Sequence, residues 1–236
     1  MGKNEIELFL SYLATHRNIS IATQKQATTA LLFLFREVLQ IEMDTKIQPV
    51  KARHKNPLPV VLTSDEVKAL MSQLSGNNLL LAKLLYGCGL RLMEAIRLRI
   101  KDLDFKNNLI YIFDGKRNKN SITVFPKTLN NDLKLQVEKV KNLHIQDLKE
   151  GFGSVWLPDA LEIKYPNASK EIQWQYLFPS KKRSRDPRSG IERRHHIMED
   201  TIQKAVKRAS NKINLNKRVS CHTFRHYGER YKMVSD

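Results

Sequence analysis

The chain has 236 residues, 41% hydrophobic, 8% aromatic and 28% charged, which is ordinary globular usage and excludes a mainly disordered polymer. Lys and Arg number 41 against 24 Asp and Glu, a formal charge of +17, and an excess of this size calls for a polyanionic partner, either nucleic acid or an anionic membrane surface. No apolar run approaches the ~18 residues of a membrane span, and the opening MGKNEIELFL lacks the layout of a secretory signal. Two cysteines, Cys88 and Cys221, make no disulfide framework, so a cytoplasmic protein without membrane segments is expected.

In chain order, residues 4–15 place Ile6, Phe9, Leu10 and Leu13 on one helical face. Thr23 is the expected cap of a longer helix reaching about Leu39. Residues 44–59 carry three prolines, several charges and no period, and read as a linker after a short helical unit. Thr63 and Glu66 then form a capping box that opens a helix to about Leu74. The next helix, LLLAKLLYG, expected to be capped by Asn77 or Asn78, is almost wholly apolar and must be buried. Gly87 and Gly89 break it, and a short helix follows from about Leu92 to Leu98. LIYIF and SITVF, separated by DGKRNKN, are two strands joined by a polar turn. A long amphipathic helix is expected from about Leu129 to Leu148. Residues 150–179 are aromatic and interrupted by prolines, with at most a short helix at 159–164. A basic loop at 181–196, a helix from about Glu199 to Lys212, and a last helix starting near Cys221 complete the layout.

Charge is uneven along this layout. Residues 181–236 hold 16 Lys and Arg against 6 Asp and Glu, and the preceding 180 hold 25 against 18. Most single lysines are accounted for by a solvated face. The cluster Lys181, Lys182, Arg183, Arg185, Arg188, Arg193, Arg194 is not, because like charges this dense repel without a counter-ion.

Three short stretches read as one site. In Gly87-Cys-Gly-Leu-Arg91-Leu-Met-Glu94, glycines lead into a helix whose first turn holds Arg91, and Glu94 stands three residues on, able to orient the guanidinium. Taken alone, such a pair is more often a surface ion pair. Lys116 stands in the polar turn between the strands, where a long side chain can reach into a groove; a solvated turn lysine is its plain alternative. In Cys221-His222-Thr-Phe-Arg225-His226, His222 and Arg225 share a helix face and can converge on one anion. The His222–His226 spacing would suit a metal, but no Glu follows His222 and no third ligand stands out, so no metal and no cofactor is expected. Two arginines, a lysine and a histidine are equipment for phosphoryl transfer: the guanidiniums neutralise non-bridging oxygens, and the other two move protons.

With these residues in place, Arg91 in GLRLMEAIRLR, Lys116 in the hairpin and His222-Thr-Phe-Arg225 resemble, in order and spacing, the catalytic boxes of the tyrosine site-specific recombinases of the phage integrase family. PLPVVLTSDEV at 57–67, VWLPDALEIKYPNA with WQYLFPS at 155–180, and Arg193-Arg-His-His196 are similar to the integron integrase branch, whose distinguishing insertion the second stretch resembles. The resemblance implies a mixed α+β fold, mainly α. It has a partial helical core-binding (SAM-like) domain at 1–48, a linker at 49–56, and a recombinase catalytic domain at 57–236 with a small antiparallel sheet and an insertion at about 150–180. It implies DNA as partner, with attachment sites (folded single strands among them) cut by a tyrosine through a 3′-phosphotyrosyl link, in a homo-oligomer on DNA. In that scheme Arg91 and Arg225 clamp the scissile phosphate, Lys116 protonates the leaving 5′ oxygen, and His222 assists proton transfer. The expected DNA-contacting residues are Lys181, Lys182, Arg183, Arg193, Arg194, His195, His196 and Trp156.

The chain departs from the family pattern at both ends. The helical sequence before residue 45 is about half that of the family's clamp. After His226 the chain leaves the pattern, and Tyr227 and Tyr231 lie on or just past the HxxR helix, where neither is expected to act as nucleophile. A truncated recombinase that binds without completing the chemistry is therefore expected, and its rival from another class is a non-catalytic DNA-binding remnant or competitor at recombination sites.

Overall fold

The computed structural model describes residues 2–41, 47–53, 60–113, 120–157 and 161–225. The chain divides into two compact units, residues 1–58 and 59–236. Among the described residues no helix is long and apolar enough to cross a membrane.

In the first unit, helices α1 (Lys3–Thr15) and α2 (Ile21–Phe33) pack through Ile6, Leu10 and Phe35. The buried stripe of α1 runs Ile6–Leu10–Ala14, four residues apart, which leaves Phe9 at its edge and 43% exposed. Ser20, not Thr23, caps α2: its Oγ accepts from the Thr23 N–H at 3.1 Å. Beyond Phe33 the helix widens into one π turn, Leu34–Val38, which carries the buried Phe35. Gln24 is the polar centre of this unit. Its amide donates to Leu10 O at 3.0 Å and Val50 O at 2.7 Å, and its Oε1 accepts from Ala52 N at 2.9 Å. The stretch expected to open a linker at residue 49 is thus tied to the helices as far as Ala52.

The second unit is built around α4 (Gly76–Cys88), whose Leu80, Leu81, Ala82, Leu84, Leu85 and Cys88 are all buried. Around it stand α3 (Ser64–Ser72), α5 (Leu92–Ile96) and α8 (Glu199–Lys212). The Thr63–Glu66 capping box forms as expected, at 3.2 and 2.7 Å. The N-cap of α4 is Ser75, so neither Asn77 nor Asn78 caps it. Gly89 alone ends α4; Gly87, expected to break it, lies within its last turn and is there for space. Gly89 adopts φ +66, a left-handed turn that a side chain would strain, and a Cβ on Gly87 would lie 3.1 Å from the Pro126 ring.

A three-stranded antiparallel sheet, β1 (Leu103–Asp104), β2 (Leu109–Ile112) and β3 (Ser121–Val124), lies in that order, with Leu109 facing Val124 and Ile112 facing Ser121. The polar turn joining β2 to β3, with Lys116, lies outside the described residues. The amphipathic helix α6 (Asn130–Lys149) turns Leu133, Val137 and Val140 inward. A four-residue helix α7 (Leu161–Lys164) is the regular piece of the expected short helix. The segment expected to be a basic loop instead contains a two-stranded sheet, β4 (Ser184–Arg185) paired with β5 (Glu192–Arg193). After α8, residues 221–225 are helical, with Phe224 fully buried and Cys221 nearly so.

Candidate phosphate and nucleic-acid site

Arg91 is the N-cap residue of α5. Its backbone N–H donates to Glu94 Oε2 at 2.8 Å, and its Nη1 donates to Glu94 Oε1 at 2.6 Å. Glu94 is 12% exposed and Arg91 42%, so the carboxylate braces the guanidinium from the protein side and leaves its outer edge open. Thr123 Oγ1 donates to Cys88 O at 3.0 Å, fixing β3 to the end of α4 just before Arg91. Phe224 and Cys221 belong to the main core of the second unit, which anchors the helical turn bearing His222 and Arg225. His222 is exposed and Arg225 half-buried.

From Arg91 a cleft of about 820 Å³ extends towards residues 156–176. An extended strip, residues 175–180, forms one wall. Leu177 N donates to Leu98 O at 2.7 Å and Ile100 N to Gln175 O at 3.1 Å on one side; Ser180 N bonds His195 O at 2.7 Å and Ile197 N bonds Phe178 O at 2.9 Å on the other. This zip brings Arg99, Tyr176, His195 and His196 together from three distant stretches of sequence. Arg99, only 7% exposed, donates to the carbonyls of Trp174 (2.7 Å) and Trp156 (2.8 Å) and lies over the Tyr176 ring at 4.6 Å. Those partners compensate the burial of its charge and lock the backbone that presents both tryptophans. Lys101 is sandwiched, its Nζ 4.3 Å from the Phe113 ring and 4.5 Å from Trp174, with Asp102 at 3.4 Å.

Tyr176 and His195 stack at 5.9 Å, and His196 meets Tyr176 edge-on at 5.3 Å. Burial, reinforced by the charges of Arg97 and Arg99, depresses both histidines, although Asp186 opposes this at His195 and the bond to Ile197 O at His196. Both rings are therefore neutral at pH 7, and the floor of the cleft is aromatic and uncharged. Trp156 and Trp174 are each half-buried along it. Trp174 also packs on the small core of Val155, Leu157, Ala168 and Tyr176, whereas Trp156 does not.

The basic cluster is arranged otherwise than its sequence suggests. Arg193, at 2% side-chain exposure, is buried among Glu162, Asp186 and Val155 O, and cannot touch a phosphate. Arg194 donates to both Asp147 oxygens at 2.6 and 2.7 Å and to the carbonyls of Ser180 and Lys181. Arg183 bonds Asp147 at 3.0 Å and Glu150 at 2.6 Å and stacks on Phe152. Burial pushes the Asp147 carboxyl up, but the bonds and charges of Arg194 and Arg183 outweigh it and hold it below the ordinary range. The counter-ions of the cluster are thus the protein's own carboxylates: Asp147 on α6, Glu150 just past its end, Glu162 on α7, and Asp186 and Glu192 in the β4–β5 hairpin. Lys181 and Lys182 remain exposed.

Residues 60–229 match the family model of the phage integrase family, and residues 1–45 match the phage integrase N-terminal SAM-like domain. The chain belongs to the phage integrase family. Among its relatives, an integrase/recombinase of Escherichia coli is 41% identical over 226 residues, covering 96% of this chain and 67% of that protein. Tyrosine recombinase XerA of Pyrococcus horikoshii is 28% identical over 178 residues, 73% of this chain and 48% of XerA. Two solved structures share the fold. The XerH recombinase bound to its difH substrate has a TM-score of 0.54 at 22% identity, covering 100% of this chain and 61% of that one. The Tn1549 transposon integrase in complex with circular intermediate DNA has a TM-score of 0.58 at 16% identity, covering 100% and 73%.

In this phage integrase chain, His222 and Arg225 stand on the helical turn 221–225, Lys181 and Lys182 are exposed, and the other residues read from the sequence fall into three groups. Arg91, Trp156, His195 and His196 line one cleft; Arg183, Arg193 and Arg194 are bound to internal acids; Lys116, His226, Tyr227 and Tyr231 lie outside the described residues. Sequence reading missed Arg97, Arg99 and Lys101. Their alternation in Arg97-Leu-Arg99-Ile-Lys101 resembles any amphipathic stretch, and only the pairing with residues 175–177 shows which face meets the tryptophans.

Proposed function

We propose that the chain is a site-specific DNA recombinase module of the integron-integrase type, in which a phosphate clamp sits beside an aromatic cleft that takes an unpaired base. Arg91 and Arg225 neutralise the non-bridging oxygens of the target phosphate, Lys116 gives a proton to the leaving 5′ oxygen, and His222 assists the proton transfer. Glu94 keeps Arg91 in one rotamer, so little ordering is lost when the phosphate arrives. The observation that carries the reading is the cleft itself, which runs from Arg91 to an uncharged floor of Tyr176, His195, His196 and two half-exposed tryptophans. A duplex offers phosphates and grooves but no free base face; a folded single strand offers an extrahelical base, and stacking one is worth about 1–3 kcal/mol.

Equilibrium binding to a DNA hairpin with one unpaired nucleotide, set against a perfect hairpin of the same sequence, tests the reading. Preference for the bulged form by at least about fivefold supports it, and equal affinity removes the base-binding cleft.

A further inference from the structure

Most cations lining the cleft already have intramolecular work. Arg91 is held by Glu94, Arg99 by two carbonyls, and Lys101 by Asp102 and two rings. Arg97 and Arg188 are different. Both line the cleft, both are exposed, and among the described residues neither side chain makes a hydrogen bond or ion pair. They stand on separate elements. Arg97 closes α5 at its C-terminal end, six residues on from Arg91, which is about 9 Å further along the axis at 1.5 Å per residue. Arg188 lies in the turn between β4 and β5, where its backbone N–H donates to Asp186 Oδ1 at 2.9 Å. Arg97 from α5 and Arg188 from the β4–β5 turn thus form lips of the one cleft that also holds Tyr176, His195 and His196.

We propose that Arg97 and Arg188 grip the two backbone phosphates flanking an unpaired nucleotide whose base occupies the cleft. This inference rests on the base-stacking reading above. Turning a base out of a strand bends the backbone on both sides of it, and an aromatic floor alone gives nothing to hold those phosphates. A guanidinium at each lip does: it carries a full fork of unused donors and meets a phosphate bidentately. Five cations and three carboxylates line the cleft, so its mouth stays positive while the histidines are neutral. The arrangement also separates two tasks, with Arg91 serving the target phosphate and the lips recognising strand shape.

The experiment compares the unmodified protein, Arg97→Gln, Arg188→Gln and the double variant, each confirmed folded by thermal melting. The probes are a DNA hairpin with one unpaired thymidine and the perfect hairpin of the same sequence, titrated across salt. Each single variant is expected to make the slope of log K against log salt shallower by about 0.7–0.9 on the bulged probe and to leave the perfect hairpin unchanged. An uncharged methylphosphonate on either side of the thymidine should weaken binding by the unmodified protein, and should cost the variant lacking the corresponding arginine nothing further. Equal slope changes on both probes would make these arginines ordinary duplex contacts and overturn the inference, as would unchanged slopes on both. Absence of any preference for the bulged probe in the unmodified protein overturns the stacking reading and this inference together. A preference that depends on Trp156, with slopes unmoved in both variants, overturns the lip assignment alone.

Discussion

Arg91 shows how much one residue's role depends on its brace. With Glu94 12% exposed behind it and its own guanidinium 42% exposed, Arg91 is positioned for an outside anion while contributing little to the core. Arg91→Ala is therefore expected to weaken DNA binding by about 10- to 100-fold, the worth of a bidentate Arg–phosphate contact, with only a small change in melting temperature. A collapse in stability with unchanged affinity would make the pair structural. The two tryptophans divide in the same way. Trp156→Ala should abolish the preference for a bulged hairpin and leave stability near that of the parent protein, while Trp174→Ala should lower both, because Trp174 also fills the small core beside Tyr176. Binding titrations paired with thermal melts distinguish the two. At this scale the sequence was legible where a motif is local: the Gly87–Glu94 stretch placed Arg91 at the start of a helix with its acid partner. Arg97, Arg99 and Lys101 were not legible, since nothing nearby in the chain shows what lies across from them.

Among the elements, the helices were readable from their period and α3 from its capping box, whereas the caps of α2 and α4 are Ser20 and Ser75 rather than the residues expected, and the β2–β3 pair was readable as two short strands around a polar turn. What the period could not reveal is the strip at 175–180, which has no alternation of its own and is held by backbone bonds to residues 98–100 and 195–197. The basic cluster was misread for a related reason. Its density of positive charge is plain in the sequence, but Asp147 and Glu150, which help neutralise it, stand more than thirty residues before Arg183, at the C-terminal end of α6. This arrangement makes Asp147 a structural residue, with only 5% of its side chain exposed and two arginines on it. Asp147→Asn is expected to cost about 1.5–3 kcal/mol, because Arg194 loses its carboxylate partner while Arg183 keeps Glu150 and Glu192. The Asp147 carboxyl sits below its ordinary 3.8 in the folded chain, so its contribution is complete above that value and is lost as pH falls through the depressed one. Denaturant titrations should show the gap between parent and variant constant from pH 5 to 7 and closing below about pH 4.

For the whole molecule, the net charge of +17 already counts every acid, and the internal ion pairs decide which cations are left facing outward. Arg183, Arg193 and Arg194 are spent on internal acids, so substitutions there should reduce stability and leave the salt dependence of binding alone. Lys181→Gln with Lys182→Gln should do the reverse, making the slope of log K against log salt shallower by about 1.8 if both contact phosphate. Stability should also fall as pH drops below 6.5. His195 and His196 are depressed in the folded chain, so the unfolded chain takes up their protons first; the contribution is full above 6.5 and lost on descending to the folded values. Replacing both with Gln should flatten that part of the profile. The central claim, that an unpaired base enters the cleft beside Arg91, is tested most directly by photocrosslinking. A hairpin carrying 5-iodouracil as its single unpaired base is irradiated with the protein, and the adduct is mapped by mass spectrometry. The expected adduct lies on Trp156, Trp174, Tyr176, His195 or His196. An adduct confined to α8 or to the first unit would contradict the claim.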